Sequence, residues 1–190
     1  MTKLSELHDA MKVAFATYIK ESEKFEQDGV KVSAVRARQA LNDLKILINA
    51  IHQSNEKDER KIRDKALVLI GFSGGFRRSE LVDIEYEDLE FVSEGVKIFV
   101  KRSKTDQSGE GMTKAIPYFD NKKFCPVIAL KNWIEIFDFK NSRIFNISNK
   151  SVALIIKKYA NYAGLDSHRY AGHSLRSGFA TSTAESGAEE

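Results

Sequence analysis

The sequence is organised around residues 71–81, which read Gly-Phe-Ser-Gly-Gly-Phe-Arg-Arg-Ser-Glu-Leu. An apolar run, residues 66–70, leads into this stretch and reads Ala-Leu-Val-Leu-Ile. Because glycine lacks a Cβ and adopts backbone angles that end a helix, the glycine pair in this stretch predicts a sharp turn. Arg77 and Arg78 follow at once, and their planar, permanently charged guanidinium groups suit phosphate or carboxylate oxygens.

A second arginine motif lies near the end of the chain, where residues 172–176 read Gly-His-Ser-Leu-Arg. His173 precedes Arg176 by three residues, a helical spacing that places both side chains on one face. Histidine exchanges protons near neutral pH, and the arginine fork meets two phosphate oxygens at once. The two motifs together predict a phosphate-handling site. Taken alone, Arg77 could instead form a surface salt bridge with a carboxylate such as Glu80, and His173 could be structural.

A third motif, residues 102–105, lies between the other two and reads Arg-Ser-Lys-Thr. In this order the three motifs resemble those of the phage-integrase or tyrosine-recombinase family, over roughly residue 41 to the end. The resemblance implies that Arg77 and Arg176 clamp the scissile phosphate of double-stranded DNA. It also implies that Lys104 protonates the departing 5′-oxygen and that His173 is an acid–base partner to the phosphate. Without the resemblance, Lys104 is one more lysine in a basic strand. The implied chemistry needs no metal and no other cofactor.

The resemblance further implies a tyrosine nucleophile, which would attack DNA and form a 3′-phosphotyrosyl bond. This tyrosine belongs after the His-x-x-Arg motif, and no tyrosine follows Tyr170 here. We therefore expect a C-terminally incomplete, tyrosine-recombinase-like catalytic domain that binds phosphate. Strand cleavage would require a tyrosine from another chain, so enzymatic activity stays an open question at this point.

Hydrophobic periodicity predicts a mainly α fold with a small antiparallel β-sheet. Residues 3–25 and 33–53 have apolar positions at helical spacing, the second from Val35 to Ile51, and predict a helical hairpin. We expect this hairpin to occupy residues 1–54 and the partial catalytic domain residues 55–190, although the hairpin could partly belong to the catalytic domain. Further helices are predicted at residues 60–72, 79–84 and 151–163, and two more begin at residues 126 and 173. Strands are predicted at residues 96–101 and 114–118, and residues 89–92 are a candidate third strand.

The composition bounds the class of protein. The chain has 190 residues, 42% of them hydrophobic, and a net charge of +3, which is compatible with DNA binding without establishing it. The single cysteine excludes an internal disulfide and a cysteine metal cluster. No apolar run is long enough to span a bilayer and no leader opens the chain, so we expect a cytoplasmic protein without a membrane partner.

Charged residues cluster by sign along the sequence. Acidic residues gather between positions 80 and 94, whereas basic residues gather from Lys97 to Lys104. We expect one face to hold DNA, with Arg78, Lys101 and Arg102 as DNA-binding residues. An acidic face that is merely solvated stays open, as does a solvated Arg78. A metal nuclease built on the acidic run is disfavoured, because nothing pairs those carboxylates with a histidine.

These patterns predict a catalytic-domain fragment of a site-specific DNA recombinase or integrase, which could assemble into a homo-oligomer on DNA. One alternative is a DNA-binding remnant or regulator that has no chemistry. Another is a helical protein-interaction module in which the opening hairpin acts.

Overall fold

The computed structural model of the protein describes residues 32–101, 111–136, 142–169 and Leu175. The predicted mainly α fold with a small antiparallel sheet is confirmed. The helices are α1 (Val32–Gln53), α2 (Asp58–Ser73), α3 (Arg78–Val82), α4 (Pro126–Ile136) and α5 (Asn149–Tyr162), and the strands are β1 (Leu89–Val92), β2 (Gly95–Val100) and β3 (Met112–Pro117). Single turns of 3-10 helix occupy Tyr86–Asp88, Lys122–Phe124 and Ser167–Arg169.

Helix α2 lies at the centre of the fold. Its first turn carries Asp58 and Glu59, whose charges complement the positive end of the helix dipole. From Ala66 onward every residue is buried up to Ser73, where the helix ends. Helix α2 packs against α4 and α1. This buried second half contains the apolar run that leads into the glycine turn.

Helix α1 belongs to the same hydrophobic core. Leu44, Leu47, Ile48 and Ile51 are buried on the face that packs against α2 and α5. The core therefore includes residues on both sides of position 54. Residues 3–25, the first helix of the predicted hairpin, lie outside the described residues.

A polar contact joins α2 to α5 inside this core. The hydroxyl of Tyr159 donates a hydrogen bond of 2.8 Å to Oδ2 of Asp64, and both side chains are buried. Arg63 donates two further bonds to Oδ1 of the same carboxylate, from Nη2 at 2.7 Å and from Nε at 2.9 Å. The carboxylate is thus satisfied on both oxygens, as a buried charge must be.

The three strands form one antiparallel sheet in the order β1-β2-β3. Ile98 lies opposite Leu89 on one side and opposite Lys114 on the other. Val96, Ile98 and Val100 are buried and alternate with the more exposed Lys97 and Phe99, so one face of β2 joins the core. The β2–β3 connection includes residues 102–110, which lie outside the described residues.

The remaining helices close the core. Trp133 of α4 donates a hydrogen bond of 2.9 Å from its indole Nε1 to the carbonyl of Ile144. Ser148 caps α5 by accepting a bond from the backbone N–H of Ser151, which explains why this helix begins at Asn149, two residues before the predicted start. Throughout the described segments, every helix is too short or too polar to cross a membrane.

Candidate functional site

The glycine pair makes the turn that the sequence predicts. Helix α2 ends as the N–H of Gly74 donates to the carbonyl of Ile70 at 3.0 Å, and Gly75 follows with a φ of 55° in the left-handed region. Phe76 then returns to the core, where it is 2% exposed. A β-carbon at Gly74 would lie 2.2 Å from Cε2 of Phe76. Gly75 is therefore needed for the backbone angle and Gly74 for space.

Arg77 is held immediately after this turn, at the start of α3. Its backbone N–H donates to Oε2 of Glu80 at 2.9 Å, and its guanidinium Nη1 donates to Oε1 of the same carboxylate at 2.7 Å. The Arg77 side chain is 21% exposed, whereas that of Glu80 is 1% exposed. The ion pair between Arg77 and Glu80 that the sequence left open is therefore present, and its carboxylate is buried. This carboxylate fixes both the backbone and the side chain of Arg77.

Lys114 of β3 approaches the same turn from the sheet. Its ammonium donates to the carbonyl of Gly74 at 2.8 Å and to that of Gly75 at 3.2 Å. It also lies 3.6 Å from Oε2 of Glu80 and 4.5 Å from the centre of the Phe76 ring. Lys114 lies outside the three sequence motifs. The available signal was its position two residues before the buried Ile116, which places a lysine on the inward face of a strand.

Part of the second motif packs against the first. Leu175 is buried, and a β-carbon at Gly71 would lie 2.8 Å from its Cδ1 atom. The same position is 3.1 Å from Cδ2 of Leu81, which follows Glu80 in α3. Leu175 therefore lies where the end of α2 meets α3, beside the turn that presents Arg77.

The other predicted site residues are placed as follows. Arg78 is the first residue of α3 and is half-buried. Lys101 lies just after β2 and is exposed. Lys104, Arg102, His173 and Arg176 lie outside the described residues. The described structure thus places Arg77, Arg78 and Lys101, and it neither brings together nor separates the four predicted catalytic residues.

Lys101 contacts three carboxylates from the acidic run. Its ammonium binds Glu85 and lies 3.2 Å from carboxylate oxygens of both Glu87 and Asp88. The hydrogen bond with Glu85 raises the pKa of Lys101 above its usual range, with smaller contributions from the other two carboxylates. The same bond lowers the pKa of Glu85. A DNA phosphate at Lys101 would have to replace these carboxylates.

The expected segregation of acidic and basic residues is wrong for the described residues. Besides the Lys101 cluster, Lys97 forms an ion pair of 3.0 Å with Glu90, because the β1–β2 register sets these residues opposite each other. Arg143 pairs with Asp83 at 2.9 Å. Basic side chains therefore lie next to acidic ones instead of on a separate face. In the segments that the structure covers, no group of three or more histidines, cysteines or carboxylates is placed to hold a metal ion.

A model of the phage integrase family matches residues 40–190. This match covers the glycine turn, the sheet and both arginine motifs. The chain therefore belongs to the phage integrase family, as its three motifs predict.

Individual relatives agree with this family. An integrase/recombinase XerD homolog of Selenomonas ruminantium is 51% identical over 143 residues, which are 67% of this chain and 42% of that protein. Tyrosine recombinase XerC of Syntrophus aciditrophicus is 30% identical over 141 residues, again 67% of this chain and 42% of the relative. The chain thus spans less than half the length of these relatives.

Solved structures share the fold. The XerH site-specific recombinase bound to palindromic difH substrate, in a post-cleavage complex, superposes with a TM-score of 0.57 at 19% identity. The superposition covers 73% of this chain and 39% of that chain. A pre-cleavage complex of XerH with difH substrate gives a TM-score of 0.56 at 20% identity, over 72% and 39% of the two chains.

Proposed function

We propose that this chain is the phosphate-binding part of a site-specific DNA recombinase catalytic domain, and that Arg77 and Arg176 together bind the scissile phosphate of double-stranded DNA. The observation that carries the proposal is the buried position of Leu175 beside Gly71, in the last turn of α2, which Leu81 also approaches. Arg176 follows Leu175 by one peptide bond, so their Cα atoms are about 3.8 Å apart. The position of Leu175 thus supports a meeting of the two arginine motifs at one turn.

The chemistry of the residues suits this role. Two guanidinium groups offer fork-shaped donors to the phosphate oxygens. They also stabilise the negative charge that develops during phosphoryl transfer. In this proposal His173 exchanges a proton with the phosphate and Lys104 protonates the departing 5′-oxygen. Arg78, Lys101 and Arg102 contact the flanking DNA backbone, where Lys101 exchanges its carboxylate partners for phosphate.

Glu80 prepares Arg77 for this contact. A guanidinium on a mobile side chain loses rotamer freedom when it binds phosphate, whereas a side chain that is already held loses less. The 2.7 Å bond to a buried carboxylate fixes Arg77 before DNA arrives. Because Glu80 is 1% exposed, water competes little for its oxygens.

The 190 residues contain no tyrosine after Tyr170, so we expect them to bind DNA without forming a covalent bond to it. Residues 55–190 would form the partial catalytic domain, with residues 1–54 as the helical hairpin. Several copies of the protein would assemble on DNA in the cytoplasm.

Fluorescence anisotropy with a labelled DNA duplex tests phosphate binding. We expect Arg176→Ala to weaken binding while unfolding in urea stays unchanged. Arg143→Ala is the matched control, because Arg143 is 53% exposed and pairs with the exposed Asp83. Equal affinities of the two variants would contradict the proposal, and unfolding of Arg176→Ala would make that arginine structural.

A nicked suicide duplex tests the chemistry of the same 190 residues. The proposal predicts salt-sensitive binding and no covalent protein–DNA adduct on a denaturing gel. A covalent adduct would show that a residue other than a C-terminal tyrosine attacks the DNA, and the proposed division between phosphate binding and nucleophile would then be wrong.

A further inference from the structure

Lys114 occupies an unusual position for a lysine. Its side chain is 15% exposed, and it lies on the face of β3 that it shares with the buried Ile116. Lysines are rarely this enclosed unless their charge is compensated. Its ammonium contacts with the carbonyls of Gly74 and Gly75 and with Glu80 lead to the turn that precedes Arg77.

Two of these contacts are backbone carbonyls. A helix leaves its last four carbonyls without partners inside the helix, and the negative end of the helix dipole lies there. The carbonyls of Gly74 and Gly75 follow the end of α2, and both accept hydrogen bonds from Lys114, at 2.8 Å and 3.2 Å. Lys114 therefore fixes the peptide groups that redirect the chain toward Phe76.

The third contact links Lys114 to Arg77 through one carboxylate. Oε2 of Glu80 lies 3.6 Å from the Lys114 ammonium and accepts the backbone N–H of Arg77 at 2.9 Å. Oε1 of the same group binds the Arg77 guanidinium at 2.7 Å. Without the ammonium, the buried carboxylate loses a positive neighbour and the turn loses two hydrogen bonds to the sheet.

We propose that Lys114 is a positioning residue for Arg77: it fixes the glycine turn and the Glu80 carboxylate to β3, and so sets the direction of the Arg77 guanidinium for a DNA phosphate. This inference rests on the proposed function for its DNA consequence. It also gives the β2–β3 pair a role, because β3 is the strand that follows the segment carrying Lys104. Lys114, which holds the turn, and Lys104, which is proposed to protonate the leaving oxygen, thus belong to β3 and to the connection that leads into it.

The first arm of the test needs no DNA. The side-chain Nε–Hε group of Arg77 is observed by NMR relaxation in the wild type and in Lys114→Met, which keeps the length of the side chain and removes its charge. We expect the order parameter of this group to fall in Lys114→Met and to recover in part in Lys114→Arg. Lys97→Met, on the same sheet but paired with the exposed Glu90, is the control and should leave it unchanged. An unchanged Arg77 signal in Lys114→Met would overturn the inference; if that variant does not fold, Lys114→Gln takes its place.

The second arm measures duplex affinity in a double-mutant cycle. Lys114→Met should weaken DNA binding roughly tenfold in the wild-type background and much less in the Arg77→Gln background, because a positioning residue acts only through the residue that it positions. Equal losses in both backgrounds would mean that Lys114 affects DNA binding independently of Arg77, and would overturn the inference. If Arg77→Gln itself leaves affinity unchanged, the proposed function fails, and the first arm still decides whether Lys114 positions Arg77.

Discussion

Replacing the buried carboxylate beside Arg77 should destabilise the fold by a predictable amount. In Glu80→Gln the amide oxygen can keep one of the two bonds from Arg77, while its NH₂ group faces a second donor. Losing a hydrogen bond between charged groups costs about 1.5–3 kcal/mol, and leaving a buried charge without its partner costs about 3–5 kcal/mol. The side chains of Arg77 and Lys114 keep 21% and 15% exposure, so water compensates them in part. We expect a loss of about 3 kcal/mol, at the lower end of the second range.

Urea unfolding gives this value directly. Trp133 is the single tryptophan and is 7% exposed, so its fluorescence reports exposure of the core. Glu90→Gln is the matched control, because Glu90 is 65% exposed and its loss should change stability by no more than about 0.5 kcal/mol. If the free energy of unfolding of Glu80→Gln differed from that of the wild type by no more than about 0.5 kcal/mol, Glu80 would not hold Arg77 in the manner described.

Further predictions concern two contacts elsewhere in the structure. Tyr159→Phe leaves Oδ2 of the buried Asp64 without the Tyr159 donor and should lower the free energy of unfolding by about 1.5–3 kcal/mol. Burial raises the pKa of Tyr159 above its ordinary 10.0, so the wild type should lose stability as pH rises beyond 10 and the variant less so, which unfolding at alkaline pH would check. Lys101 lowers the pKa of Glu85 below its ordinary 4.5, so their contact stabilises the fold above pH 4.5 and is lost as pH falls through the lowered pKa. Lys101→Met should raise the titration midpoint of the Glu85 carboxyl carbon in NMR spectra, and an unmoved midpoint would contradict the contact.

The elements of the fold could be predicted because local chemistry determines them. The apolar run into α2, the glycine pair and the alternation of β2 each carry a signal within a few residues. Periodicity was less reliable at helix ends. It placed Val35 on the buried face of α1, yet this residue is 50% exposed, because periodicity assigns residues to a face and does not say how far along the helix a neighbour extends.

Contacts between distant residues could not be predicted in this way. Asp64 and Tyr159 are 95 positions apart, and neither local sequence indicates that they form a hydrogen bond. The wrong expectation of separate charged faces has the same origin. Whether Lys97 meets Glu90 depends on the register of β1 and β2, which only the paired sheet defines.

One part of the candidate site is indicated by a sequence motif, and another part is shown only by contacts in the structure. Arg77 stood out through its place after the glycine pair, and its partner Glu80 was among the alternatives considered. Lys114 lies outside the three motifs, although the alternation of β3 places it on the inward side with Ile116. The sequence pattern therefore identifies Lys114 only when the buried face of β3 is known.

The salt dependence of DNA binding tests the central claim, that Arg77 binds a DNA phosphate, most directly. Each phosphate that a cationic side chain neutralises contributes about 0.9 to the slope of the logarithm of affinity against the logarithm of salt concentration. On one duplex, Arg77→Gln should therefore reduce the steepness of this line by about 0.9 relative to the wild type. Arg143→Ala should leave the slope unchanged. An Arg77→Gln protein that is folded and binds with the wild-type slope would contradict the account, because Arg77 would then contact no phosphate.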